Sequence, residues 1–140
     1  KIKIMGTAME KYLYFRTVAD EDDDDAAADT LALPARRIVA MAPSADTTIT
    51  VWFESVNNMH TSGDNELVLK DSAVITVTAH RHKKVLQSIV RAINGGPHQS
   101  GFITVADDTT TDYDGSTRAA VYIDNDITAM AAITIAAANS

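Results

Sequence analysis

The sequence holds no cysteine, so disulfides, thiolate-bound zinc and thiol nucleophiles are all excluded. Proline and glycine are scarce, 3 and 6 in 140 residues, and no Pro- or Gly-rich linker divides a length that suits one domain. Aromatic residues make up 6%, with a single tryptophan, which leaves few large rings to line a ligand pocket. No apolar run approaches the roughly 20 residues of a membrane-spanning helix. No hydrophobic stretch follows the first residues as in an export signal, and a soluble protein is expected. Basic residues are in deficit, 12 against 19 acids, giving a formal charge of −7. That surplus repels phosphate and argues against a dedicated nucleic-acid binder.

What the chain has in abundance is alanine and threonine, 22 and 16 residues, a composition for thin, closely packed sheets. Residues 11–18 (KYLYFRTV) alternate, with Leu13 and Phe15 toward a core and Tyr12, Tyr14 and Arg16 away from it. Residues 20–29 hold seven of the acids, and their mutual repulsion predicts an exposed loop. A strand-like stretch at 35–41 is opened by Pro34 and closed by Pro43-Ser44. Residues 47–56 (TTITVWFESV) are the strongest strand, with Ile49, Val51 and Phe53 on one face and Thr48, Thr50, Trp52 and Glu54 on the other. Further strands are expected at 66–69, 72–78, 101–106, 118–123 and 127–135.

The periodicity changes once. Val85, Leu86, Ile89, Val90 and Ile93 fall at helical spacing, and Asn94-Gly95-Gly96-Pro97 stops a helix expected over about 79–94. The fold class is therefore α+β and β-rich: about seven mostly antiparallel strands with one amphipathic helix over a sheet face. An N-terminal arm at 1–10, whose KIKIM start alternates like a strand, precedes a single domain at 11–140. One echo links residues 15–21 (FRTVADE) and 102–108 (FITVADD), identical at five of seven positions. Nothing around the copies extends the match, so it is taken as a shared way to end a strand.

Candidate chemistry is sparse. The acid run, including Asp22, Asp23, Asp24 and Asp25, lacks the spaced ligands and Gly turn of a calcium loop, and Asp112-Tyr-Asp-Gly115 lacks the distal glutamate. Residues 80–98 are the electrostatic opposite, with Arg81, Lys83, Lys84 and Arg91 and no acid, so they carry +4 and the rest of the chain −11. Basic residues at a helix N-terminus oppose the macrodipole and invite an acidic partner. Lys84 and Arg91, seven apart, are expected to share the face opposite Val85, Leu86, Ile89 and Ile93. The acid run of a neighbouring copy is one candidate to meet them. His80 and His82 have no third ligand at zinc spacing; His82 is expected to lie over Val85, Leu86 and Ile89. No serine sits in a nucleophile elbow and no glycine loop cradles phosphate. The acid pairs Asp107/Asp108 and Asp124/Asp126 fall in turns. No catalytic residue, cofactor or metal is expected, and the chain is read as non-enzymatic.

Four stretches together carry a resemblance: KYLYFRTVA (11–19), RRIVAMAPSADTTITVWFES (36–55), VITVTAHRHKKVLQSIVRAINGGPHQSGFITVADD (74–108) and YIDNDITAMAAITIA (122–136). Over residues 11–136 the chain resembles small virion structural proteins of tailed phages of marine cyanobacteria. The resemblance implies a many-copy particle protein, above all a capsid decoration or cement protein. It would sit on the virion surface, be assembled in the host cytoplasm, and bind the major capsid protein and copies of itself, a trimer being one form. It implies no nucleic-acid, membrane or small-molecule partner. Partner contacts are expected at Arg81, Lys83, Lys84, Arg91 and Asp22 to Asp25. The alternatives are a tail, neck or fibre-associated subunit, and a glycan- or receptor-binding module whose platform would be Trp52.

Overall fold

The computed structural model describes residues 10–23, 25–54, 71–95 and 101–135. Eight strands form two four-stranded sheets. The first has the order β2-β1-β6-β7, from β1 (Tyr12–Arg16), β2 (Thr30–Pro34), β6 (Phe102–Asp107) and β7 (Val121–Tyr122). The second has the order β3-β4-β5-β8, from β3 (Ile38–Ala45), β4 (Thr48–Phe53), β5 (Asp71–Val77) and β8 (Ile127–Thr134). Every pairing is antiparallel except β1 with β6. The one α-helix among the described residues, α1 (His82–Gly95), touches β3 of one sheet and β6 of the other. The fold is α+β and β-rich.

Alternation places the core. Leu13 and Phe15 of β1, Ile49, Val51 and Phe53 of β4, Ala73, Ile75 and Val77 of β5, and Ile103 and Val105 of β6 are all buried. They join one apolar cluster with Val85, Ile89 and Ala92 of α1. Strand β8 buries Ile127, Met130 and Ile133 at every third position, which a straight strand of period two does not allow. Two register shifts against β5 solve this: Ala129 and Ile127 face successive β5 residues, as do Ala132 and Met130, so Thr128 and Ala131 are extra residues looped out of the ladder.

Four expectations are corrected. The helix begins at His82 rather than 79, because His80 takes a left-handed backbone (φ 69°) that a right-handed helix cannot include. The stretch after Pro34 is not one strand: β2 ends at Pro34, a 3-10 turn spans Ala35–Arg37, and β3 begins at Ile38 and runs on through Pro43. Pro43 is tolerated because β3 is an edge strand, where a missing N–H need not break a ladder. The strand expected at 118–123 shrinks to Val121–Tyr122. On α1, Leu86 and Ile93 pack only partly against the core, while Val90 is 43% exposed. The strand expected at 66–69, the KIKIM arm and the last five residues lie outside the described residues.

The echoing segments turn out to be neighbours in the first sheet, but not in matching register. Tyr12 faces Phe102 and Phe15 faces Ala106, so Phe15 is buried while Phe102 is 47% exposed. The repeated letters serve different structural positions.

Candidate functional site

The basic residues of 81–91 divide into two sets. Lys84 Nζ donates to Asp124 Oδ1 at 2.7 Å and Asp126 Oδ2 at 2.9 Å. One helical turn on, Ser88 Oγ donates to Asp124 Oδ2, and Asp126 N donates to Asp124 Oδ1 at 2.8 Å. The carboxylates hydrogen-bonded to Lys84 hold its ammonium above the usual lysine range. Burial works to raise the Asp124 carboxyl, but Lys84 and Ser88 outweigh it and keep it below the usual carboxylate range. Asp126 is lowered first by Lys84, with Arg81 adding to the effect. Lys84 therefore spends its charge within its own chain, fastening α1 to the turn between β7 and β8. Lys84 and Arg91, expected to share the face opposite Leu86, are thus separated: Lys84 meets this turn, and Arg91 lies on the side of Leu86.

Lysine and serine one turn apart invite comparison with a base and nucleophile. Such a pair needs an unprotonated amine beside the hydroxyl. Here the amine is held protonated and the hydroxyl donates to a depressed carboxylate, so the cluster anchors a helix.

Lys83 and Arg91 are the second set. With Leu86, Gln87, Val90 and Asn94 they line a shallow groove of about 580 Å³ on the outer side of α1. Their spacing, i, i+3, i+4, i+7, i+8 and i+11 from Lys83, is one helix face. Neither Lys83 nor Arg91 forms an ion pair among the described residues. His82 is half-buried and donates from Nε2 to the Ala45 carbonyl at 2.8 Å, tying α1 to the turn after β3.

The acid run is partly structural. Glu21 opens a 3-10 turn (Glu21–Asp23), accepts the Tyr113 amide at 3.0 Å and lies 3.8 Å from Arg16. Asp22, Asp23 and Asp25 are exposed; Asp24 lies outside the described residues. Among the described residues no group of three or more His, Cys, Asp or Glu converges to hold a metal ion. The Asp112–Gly115 turn uses its acids internally: Asp112 pairs with Arg118 at 3.2 Å, and Asp114 accepts the Ser116 amide, which lowers its carboxyl. Arg118 also binds the buried Asp107 at 3.0 Å, and that bond raises its guanidinium. Asp108 accepts the Tyr122 hydroxyl, whose phenol is pushed well up by burial and then by this carboxylate. The turn acids are thus ties between strands.

The outward face of the first sheet carries a feature with little trace in the sequence. Tyr12 and Phe102 are cross-strand neighbours, 39% and 47% exposed. The Tyr14 ring lies 5.0 Å from that of Phe102 at 38°. The Arg16 guanidinium sits 5.5 Å from the Tyr14 centroid, and Thr30 Oγ1 donates to the Tyr14 hydroxyl at 2.9 Å. The alternation of 11–18 pointed the tyrosines outward, but only the parallel β1–β6 pairing brings Phe102 beside them. Trp52, by contrast, is half-buried on the outward face of the second sheet between Ala40 and Ser72. No protein-family profile, curated protein or solved structure matches the chain.

Proposed function

We propose that this chain is a non-enzymatic virion structural protein of a tailed phage, a decoration protein that binds the major capsid protein shell and stabilises it. The observation that carries the reading is the aromatic patch of Tyr12, Tyr14 and Phe102 on the outward face of the first sheet. Aromatic residues are enriched where proteins bind proteins, because a rigid ring buries much area at little entropic cost. An open sheet face of this kind suits a broad shell surface better than an enclosed ligand. The resemblance of residues 11–136 to small virion proteins supports the same reading, and the turn acids and Lys84 are occupied in holding the fold.

The test is to quantify this chain against the major capsid protein in purified particles. A simple fraction of the capsid copy number is the expected result, and Tyr12→Ala with Phe102→Ala should lower it without unfolding the domain. A far lower ratio would place the protein in the tail, neck or a fibre. Absence from particles would overturn the virion reading.

A glycan- or receptor-binding module is the second reading, and the same patch favours it over the Trp52 version. If sugars bind, Tyr12→Ala or Phe102→Ala abolishes binding on a glycan array and Trp52→Ala does not.

A further inference from the structure

We propose that the outer face of α1 seats the β1–β2 loop of a second copy of this chain, joining copies head to tail. The contact rests on the decoration reading only for its place on a particle. Its chemistry comes from two surfaces of the isolated molecule.

The first surface is the groove of α1. Leu86 and Val90 lie between Lys83 and Arg91, and Val90 is 43% exposed. An amphipathic helix normally turns a uniformly polar face to water; this one presents an apolar strip bracketed by two cations. The neighbouring Lys84 pairs with Asp124 and Asp126, while Lys83 and Arg91 have no ion-pair partner among the described residues.

The second surface is the loop between β1 and β2. It presents the exposed carboxylates of Asp22, Asp23 and Asp25, followed directly by the exposed methyls of Ala26, Ala27 and Ala28. The loop offers both kinds of group that the groove calls for: carboxylates for Lys83 and Arg91, small apolar side chains for Leu86 and Val90. Alanines let the two backbones approach closely. On either side of residue 24 the loop is tied down, with Asp29 N donating to Ala26 O at 2.9 Å and Glu21 anchored on Tyr113. A preformed loop loses less entropy on docking than a free one.

Net charge sharpens the choice of partner site. Two copies at −7 each repel overall, so association needs a local patch of the opposite sign, and 80–98 is the segment that carries +4. Because groove and loop are different surfaces, the contact is heterologous, and repetition either closes a ring or extends a filament.

Sedimentation velocity of the full chain tests this. At low salt the wild type should sediment as a multiple of 15.0 kDa and move toward the monomer as salt screens the contact. Lys83→Glu with Arg91→Glu should give monomers with unchanged melting, and so should Asp22→Lys with Asp23→Lys. Mixing the two variants should restore assembly, since each then offers the other a complementary pair. A monomeric wild type at low salt, or an oligomer indifferent to both reversals, overturns the proposal. Assembly lost in both variants but not restored on mixing removes the loop as the occupant. Helix-face reversal that abolishes particle binding but leaves self-association intact assigns the groove to the shell and also overturns it. Absence from particles with solution assembly intact defeats the decoration reading alone.

Discussion

Asp108, the residue after β6, accepts the backbone N–H of Met130 in β8, both carboxylate oxygens lying 3.1 Å from the nitrogen. One side chain thus joins the two sheets, and the amide it satisfies lies on an edge strand of the second. The same carboxylate accepts the Tyr122 hydroxyl from β7. Asp108→Ala leaves both donors unpaired and should cost about 2 kcal/mol, the scale of hydrogen bonds to a charged acceptor. Urea denaturation of the two proteins at neutral pH checks this.

Tyr122 gives the alkaline limb of stability. Its folded phenol is raised by burial and by Asp108, whereas an unfolded tyrosine ionises near about 10. A raised folded value contributes stability below the unfolded value, and that stability is lost as pH climbs above it. Tyr122→Phe should be less stable than wild type at about pH 8, with the gap narrowing toward about pH 11. Urea midpoints of both proteins at the two pH values give the comparison.

The acid limb falls to Asp124 and Asp126. Both carboxyls are lowered in the fold, so their stabilisation is present above the unfolded carboxylate range and fades as pH falls through the folded values. Lys84→Met removes the ammonium that outweighs the burial of Asp124. The variant should be less stable near neutrality and show a shallower loss on acidification. Circular dichroism melts across that range would show two curves converging in acid; parallel curves would mean that Lys84 contributes packing alone.

The looped-out residues of β8 make a sharp prediction about register. Removing Ala131 alone displaces Met130 or Ile133 from the core, because each residue of slip turns side chains to the other face. Removing Thr128 alone should do the same at Ile127. Removing both leaves Ile-Ala-Met-Ala-Ile, an uninterrupted alternation, so the double deletion should be more stable than either single one. Three melting curves decide it.

The core strands were legible because their signal is local. Leu13 and Phe15, and Ile49, Val51 and Phe53, announce their burial by alternation alone. Strand β2 was not, because Thr30 to Leu33 follows directly on the acid run and reads as its continuation, and Pro43 looked like a terminator until β3 proved to be an edge. The site was legible only as a region. Lys83 and Lys84 are adjacent letters, and what separates them is Asp124, 40 residues away. The aromatic patch needed a parallel pairing that no periodicity announces.

That parallel pairing also governs how the chain can come into being. Strand β1 has β2 on one side and β6 on the other, so the first sheet lacks its inner neighbour until residues 102–107 have been made. The buried side chains of β1, Leu13 and Phe15, then wait with their inner flank open while most of the polypeptide emerges. Non-local closure of this kind is slow and leaves strand edges unpaired in the interval. A nascent chain halted after β5 should therefore depend on chaperones for its solubility, and the completed chain should not.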